Sequence, residues 1–177
     1  MTRPRASILW LLPVVGILVF ADEVVKHWAL SALPDESALT APGIVALAIH
    51  KNWGIAFDIP FKMHLIISVS AVIGLALLWV ARKNFKEKPV VAFSAVMIVI
   101  GAIGNTYDRV AYGFTVDYLI LFGRSAINIS DIVIVAGVVT LLYASRVPGL
   151  HQHGHPNHQH DEGDDEDLSS EAPAPGA

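Results

Sequence analysis

The sequence has no cysteine among its 177 residues. A disulfide framework, a thiolate metal site and a cysteine nucleophile are therefore excluded. The basic residues are scattered and no aromatic platform accompanies them, so the sequence does not predict a nucleic-acid surface. Apolar residues, in contrast, are abundant: 54% of the chain is hydrophobic, which is too much for an ordinary soluble domain of this length.

The formal net charge of −4 originates in the C-terminal segment. Residues 147–177 contain seven acidic residues and no lysine or arginine, whereas residues 1–146 contain twelve basic and nine acidic residues. Low-complexity composition predicts that this segment is a disordered, His-rich, acidic cytoplasmic tail. We expect no metal site in it, because no partner side chains would orient its histidines, which are His151, His153, His155, His158 and His160.

Four long apolar runs in residues 1–146 predict one four-helix membrane domain. They cover approximately residues 8–25, 63–81, 90–107 and 127–144. Each approaches the ~20 residues that a helix needs to cross ~30 Å of hydrocarbon. Lipid offers the backbone no hydrogen-bond partners, which favours helices. We interpret the first run as a retained span, because it ends in polar residues rather than at a small-residue cleavage site.

The distribution of lysine and arginine predicts the orientation of the four spans. Arg3 and Arg5 precede the first span, four basic residues lie in the segment 82–88, and Arg146 follows the fourth span. If the spans alternate, these places share one side, which is the cytoplasm by the positive-inside rule. Both termini are then cytoplasmic, and residues 29–62 and 108–126 form outer loops.

With this orientation, the polar residues of the spans meet at the outer end. Spans one, three and four each contribute residues that are three or four positions apart, so each set can face one direction from its helix. Ionisable residues in a span cost about 2.5–3.5 kcal/mol at the helix centre, and less near its ends. A shared polar site explains their convergence best; the residues are Asp22, Lys26, Asn105, Asp108, Arg109, Asn128 and Asp131.

Asp117 lies in the apolar segment FTVDYLILF, residues 114–122, in the second outer loop. A carboxyl group in such surroundings has a raised pKa unless it is paired, and two adjacent carboxyl groups keep one proton between them. Such a pair can activate water and protonate an amide carbonyl. From these arguments alone, four carboxyl groups remain eligible, namely Asp22, Asp108, Asp117 and Asp131.

Three other interpretations remain open at this point. Polar residues at helix ends are common and can be explained by solvation alone. A small transporter or ion-pathway protein would also place acids beside Lys26 and Arg109. It would require polar residues through the whole depth, yet the inner halves of spans two, three and four have no charged residue. A non-catalytic scaffold would use the polar cluster only to lock the helices together.

Five short motifs follow one another along residues 8–145. They are Asp22 with Lys26; Asn52, Gly54, Ala56 and Phe57; Gly104, Asn105, Asp108 and Arg109; Val116, Asp117 and Tyr118; and Asn128, Ser130 and Asp131. On these motifs the chain resembles lipoprotein signal peptidases, also called signal peptidase II. Each motif alone is weak, whereas five motifs in order on a four-span chain form a specific signal.

The resemblance implies a bacterial inner-membrane aspartyl endopeptidase. Such enzymes remove the signal peptide from prolipoproteins, before a lipobox cysteine that carries a diacylglyceryl group. The implied partners are these precursors and membrane lipid, with no cofactor, no metal and no nucleic acid, and the chain is expected to be monomeric. The resemblance also implies a small extracytoplasmic β-cradle at residues 42–60 and a short amphipathic periplasmic segment, flap-like, near residues 28–40.

The resemblance places the catalytic pair on Asp117 and Asp131. We expect Asp108 and Arg109 to hold the outer end of span three by charge pairing and hydrogen bonds. Asp22 and Lys26 are expected to support span one in a similar way. The remaining supporting positions are Asn52, Gly54, Asn105 and Asn128, of which the first and last are suited to binding substrate backbone or orienting a carboxylate.

Two departures from the family pattern concern the catalytic region. Ser130 stands where many members have alanine, and we interpret this as an exchange of one small residue for another. The connection from Asp117 to Asp131 is shorter than in many relatives. We expect a shorter connection to narrow the loop at the mouth of the site without removing the carboxyl pair.

Overall fold

The computed structural model describes residues 6–38, 43–55, 59, 60 and 62–146. Within these residues, four helices are long and apolar enough to cross a membrane, in agreement with the four predicted spans. A short 3-10 helix, Ala6–Leu11, precedes the first of them. The predicted tail, residues 147–177, lies outside the described residues.

Each of the four helices ends later in the chain than the apolar run that predicted it. They are α1 (Leu12–Ala32), α2 (Met63–Asn84), α3 (Pro89–Ala111) and α4 (Ile129–Arg146). Helix α1 continues past residue 25, near which the apolar run of span one ends, because its charged residues are buried among partners and do not interrupt the helix. It ends instead where Leu33 becomes extended, one residue before Pro34. Proline begins α3, where its missing N–H leaves no hydrogen bond unmade.

Helix α3 is the centre of the bundle and packs against each of the other three helices. Of its most apolar stretch, 56% of the residues are buried, compared with 6% for α2, which lies at the edge of the bundle. Small residues bring α3 and α4 close together. A Cβ atom on Gly137 of α4 would lie 2.7 Å from the Ile98 side chain and 3.2 Å from the Ser94 carbonyl oxygen.

The outer surface of the bundle is strongly apolar. Large hydrophobic side chains such as Phe20, Leu75, Ile103 and Val135 are exposed on all four helices. In water this surface would be unfavourable, because each exposed CH₂ forgoes about 0.8 kcal/mol of burial. Contact with lipid chains explains these residues, and the four helices therefore form a membrane-embedded bundle.

A three-stranded antiparallel sheet lies at one end of the bundle, and we call this the sheet end. It contains β1 (Val45–Asn52), β4 (Thr115–Leu121) and β5 (Ser125–Ile127), with β4 in the centre. The prediction that Asp117 lies in a loop is wrong, because its segment is the central strand. Burial explains the difference. Val116 and Tyr118 pack with Ala29 of α1 and Ile49 of β1 on one face, and Thr115 and Asp117 are buried on the other, so β4 is covered on both faces.

The predicted β-cradle at residues 42–60 is therefore only part of the sheet region. That range supplies β1 and a two-stranded pairing of β2 (Gly54–Ile55) with β3 (Ile59–Pro60), whereas β4 and β5 come from later in the chain. The predicted amphipathic segment near residues 28–40 begins with the last turn of α1. It continues into a second 3-10 helix, Glu36–Ala38, and residues 39–42 are outside the described part.

The close contact between α3 and α4 yields a prediction about stability. Changing Gly137 to alanine should destabilise the protein by about 1–3 kcal/mol, because the added methyl group meets backbone atoms of α3. Gly74 of α2 is the matched control, because a Cβ atom there meets nothing within 4 Å. Thermal unfolding in detergent measures both variants. Equal melting temperatures for Gly137→Ala and Gly74→Ala would contradict the packing.

Candidate active site

The sheet end contains almost all of the buried polar side chains of the described residues. Ser94 is the exception, and its hydroxyl donates to the Val90 carbonyl of its own helix. The others come from α1, α3, α4, the sheet and the residue before α4. They are Asp22, Lys26, Asn105, Asp108, Thr115, Asp117, Asn128 and Ser130.

Asp117 lies in the middle of β4, where its side chain is 1% exposed. Two amides hold its carboxylate: Asn52 Nδ2 donates to Oδ2 at 3.1 Å, and Asn128 Nδ2 donates to Oδ1 at 2.7 Å. Burial and, to a smaller extent, the charge of Asp131 raise the pKa of Asp117 to about 7, although the two amide donors oppose the shift. Asp117 can therefore hold or release a proton near neutral pH.

Asp131 lies in the first turn of α4, three residues after Asn128. The pair forms a reciprocal cap: the Asp131 N–H donates to Asn128 Oδ1 at 2.9 Å, and the Asn128 N–H donates to Asp131 Oδ2 at 3.2 Å. The other carboxylate oxygen accepts from Asn105 Nδ2 of α3 at 2.7 Å. The start of α4 and a neighbouring helix thus both orient this carboxyl group.

Asn128 connects the two carboxyl groups, because its side-chain Nδ2 donates to Asp117 and its backbone N–H donates to Asp131. Its side chain is fully buried, and its Nδ2 also donates to Asn105 Oδ1 at 3.1 Å. Asn105 in turn contacts Asp131, so the two acids share one network of buried amides. The structure therefore places Asp117 and Asp131 in one hydrogen-bonded network, with Asn52, Asn105 and Asn128 donating to their oxygens.

Lys26 of α1 connects this network to the rest of the bundle. Its ammonium group is buried and lies 2.8 Å from Asp108 Oδ2, 3.3 Å from Asp22 Oδ2 and 3.0 Å from Glu23 Oε1. It also donates to Asn105 Oδ1 at 3.3 Å. An ammonium at this position fixes the orientation of the Asn105 amide, because the oxygen must face Lys26 while the nitrogen faces Asp131.

Asp22 has a larger role than supporting its own helix. Its carboxylate accepts from the backbone N–H groups of Ile129 and Ser130, at 3.1 and 3.0 Å, and so caps the N-terminus of α4 from α1. Tyr118 donates its hydroxyl to Asp22 at 2.8 Å. The hydroxyl of Ser130 also donates to Asp22 Oδ2 at 2.6 Å, so this small residue makes a hydrogen bond that alanine could not make.

The side chains of Asp108 and Arg109 contact residues of other elements and do not form an ion pair with each other. Asp108 pairs with Lys26 and accepts from the Val116 backbone N–H at 3.2 Å, which links α3 to the strand that carries Asp117. Arg109 donates to the Gly54 carbonyl at 3.2 Å.

Two contributors escaped the sequence analysis, and a third, Tyr118, was named there only as part of a motif. Glu23 adjoins a motif residue and accepts from Lys26 on the next turn, whereas the Tyr118 hydroxyl reaches Asp22 from a distant part of the chain. His50 lies opposite Asp117 in the sheet, two residues before Asn52. Alternation along a strand is the one signal that could have revealed His50, because residues two apart share a face.

The fold and the site together define a class: a membrane-embedded four-helix protein with two carboxyl groups in one buried amide network. The family model described as signal peptidase (SPase) II matches residues 14–147. The chain therefore belongs to the signal peptidase II family, and it is a peptidase.

Sequence relatives agree with this assignment. The lipoprotein signal peptidase of Bartonella tribocorum is 29% identical over 145 residues, covering 78% of this chain and 87% of that protein. The lipoprotein signal peptidase of Syntrophomonas wolfei subsp. wolfei is 32% identical over 127 residues, with 71% and 85% covered. A solved bacterial membrane enzyme, determined by the in meso method at 1.9 Å resolution, has a similar fold, with a TM-score of 0.63. It is 22% identical, and the match covers 77% of this chain and 92% of that one.

The contact between Ser130 and Asp22 can be tested by mutation. Ser130→Ala should lower the free energy of unfolding by about 1 kcal/mol, because a buried carboxylate oxygen loses a hydroxyl donor. Ser145→Ala is the control, since that exposed hydroxyl donates only to carbonyls of its own helix. Denaturant or thermal unfolding in detergent gives the comparison. The assigned contact is wrong if both variants unfold alike.

Proposed function

We propose that this chain is an intramembrane aspartyl endopeptidase that processes prolipoproteins. It cleaves the signal peptide from precursors modified with a diacylglyceryl group, immediately before the lipidated cysteine. Asp117 and Asp131 together activate the attacking water. We assign this activity to residues 1–146 and regard residues 147–177 as an appended tail.

The observation that carries the proposal is the shared amide network around two acids from different elements. One acid lies on a strand and the other in the first turn of a helix, yet Asn128 contacts both. The raised pKa of Asp117, about 7, favours a state in which the pair keeps one proton at neutral pH. Each carboxylate oxygen accepts one donor and retains a second lone pair for water or substrate.

The proposed reaction is addition of water to the scissile amide. The ionised carboxylate takes a proton from water while the protonated carboxyl donates to the carbonyl oxygen, and proton transfer to the leaving nitrogen completes cleavage. The two acids titrate as a unit, so the proton belongs to the pair. Arg109 interacts electrostatically with both carboxylates, which favours the singly ionised pair. No metal or organic cofactor takes part in this scheme.

The position of the pair suits a lipid-modified substrate. Asp131 lies where a membrane-spanning helix begins, and the surface of the bundle below it is apolar. Acyl chains attached to the cysteine can remain in lipid while an extended peptide reaches the sheet end. The relatives are named lipoprotein signal peptidases, which favours the same substrate class here.

We further propose that the sheet end faces the outside of the bacterial inner membrane. At the opposite end of the bundle, the last turn of α2 carries Arg82 and Lys83, and the connection to α3 carries Lys86 and Lys88. Basic loops remain cytoplasmic, so both termini would be cytoplasmic too. One chain supplies every group named in the reaction, and we propose a monomer.

The alternative functions receive less support. An ion pathway would need buried polar groups along the membrane depth, whereas those of the described helices concentrate at the sheet end. A scaffold would use the polar cluster for stability alone. It would not need Asp117 in a state poised to lose a proton near neutral pH.

Isosteric substitution of each acid tests the proposed chemistry. Asp117→Asn and Asp131→Asn should each lower cleavage of a lipidated precursor by about 10³-fold or more, because neither amide can exchange the proton. Asp35→Asn is the matched control, since Asp35 is exposed and contacts Ser37. All three purified variants should unfold at similar temperatures. Full processing by Asp117→Asn or Asp131→Asn would remove the proposed mechanism.

A second experiment tests the substrate class. The purified enzyme is incubated with a diacylglyceryl-modified precursor and with the same precursor lacking the lipid. We expect a gel shift for the modified precursor only, because the lipid anchors the scissile bond at the membrane surface. Cleavage of both precursors at equal rates would leave a peptidase without the proposed lipid requirement.

A further inference from the structure

His50 lies beside one of the two proposed catalytic acids. Strands β1 and β4 are antiparallel, and their register sets His50 directly opposite Asp117. Opposed residues of an antiparallel pair have side chains on the same face, with Cβ atoms about 4.5–5.5 Å apart. Asn52 shares that face two residues along β1 and donates to Asp117 Oδ2 at 3.1 Å. The imidazole ring is therefore on the catalytic face of the sheet.

The carboxyl group of Glu36 contacts the imidazole ring of His50. His50 Nδ1 and Glu36 Oε1 are 2.6 Å apart, and the glutamate belongs to the 3-10 helix that follows α1. The backbone makes the same connection, because the Ile49 N–H donates to the Pro34 carbonyl at 2.8 Å and Asp35 forms a bridge with Ile49. The segment 34–38 is thus attached to β1 next to the catalytic pair.

A positive charge on the His50 ring acts on Asp117. Histidine in water titrates near pH 6.5 and is the residue whose ordinary range covers pH 5–8. A protonated ring favours the ionised form of a neighbouring carboxyl group. Burial and the charge of Asp131 raise the pKa of Asp117, and the charge of His50 acts in the opposite direction.

We propose that His50, held by Glu36, is a positioning residue of the active site. Its positive charge keeps the Asp117 and Asp131 pair from becoming doubly protonated and so extends cleavage toward lower pH. This inference rests on the function proposed above and adds a third titratable group to it. The residue acts through Asp117 and takes no proton from the substrate.

The other charged groups near this ring cannot supply the same effect. Arg109, which interacts with the carboxyl pair from α3, keeps its charge throughout the physiological range. Hydrogen bonds from Ser37 lower the pKa of Asp35, so that acid stays ionised. Lys51 follows His50 but points to the opposite face of β1, where its ammonium lies 5.8 Å from the Phe114 ring centre.

The test is the pH dependence of kcat/KM for a lipidated precursor. His50→Gln should move the acid limb of the profile to higher pH by about half a unit or more, because a neighbouring positive charge is lost. Glu36→Gln should move it in the same direction by a smaller amount. This variant keeps a hydrogen-bond acceptor at Oε1 and removes only the charge that stabilises the protonated ring.

The double variant identifies the route of the effect. If Glu36 acts through His50, the Glu36→Gln and His50→Gln double variant should have the same acid limb as His50→Gln alone. Lys51→Gln is the matched control, since it removes one positive charge a single residue away on the opposite face. Its profile should coincide with that of the unmodified protein. If His50→Gln unfolds at a lower temperature than the unmodified protein, the acid limb of Glu36→Gln decides the question, because that variant retains the imidazole ring of His50.

Two results would overturn the inference. One is an acid limb that stays unchanged in both His50→Gln and Glu36→Gln. The other is an equal shift in Lys51→Gln, which would indicate a general charge effect. Either result leaves the proposed function intact as long as Asp117→Asn and Asp131→Asn are inactive. Activity in those two variants would instead remove the proposed function, whatever the His50 profile.

Discussion

The buried ammonium group of Lys26 is the interaction on which the arrangement of this protein depends. It lies among three carboxylates and one amide oxygen at the sheet end, with its side chain 1% exposed. Breaking a buried ion pair by removing one partner costs roughly 3–5 kcal/mol, because a charge is left uncompensated. Through Asp108 it reaches the β4 backbone, and through Asp22 it reaches the start of α4. The two elements that carry the proposed catalytic acids are therefore positioned by one cation on a third element.

The amide network transmits this positioning to the acids themselves. Asn105 faces Lys26 with its oxygen and Asp131 with its nitrogen, so the cation determines which atom of the amide meets the carboxylate. Asn128 then joins Asp131 to Asp117. Neutral amides suit this purpose because they orient a carboxylate without the full charge that would depress its pKa. The pair can thus retain a proton near neutral pH while its geometry is constrained.

Much of the architecture was predictable from local pattern. Hydropathy identified four helices, and the intervals of three and four residues identified which polar groups face the interior. The sequence-based predictions failed where contacts between distant elements stabilise a structure that the local sequence disfavours. Helix α1 continues past Asp22 and Lys26 because partners on other elements neutralise both charges. The segment around Asp117 was predicted to be a loop because its strand character depends on pairing with β1, which is more than sixty residues earlier.

The sequence by itself determined the class of protein, the number of spans and the inventory of groups at one membrane surface. Those properties follow from composition and from periodicity along single elements. Only the tertiary structure decided which groups meet. It placed Asp22 at the N-terminus of α4, paired Asp108 with Lys26 rather than Arg109, and set His50 opposite Asp117. Hydrogen bonds and ion pairs act over about 3 Å, and folding alone brings residues far apart in the chain within that distance.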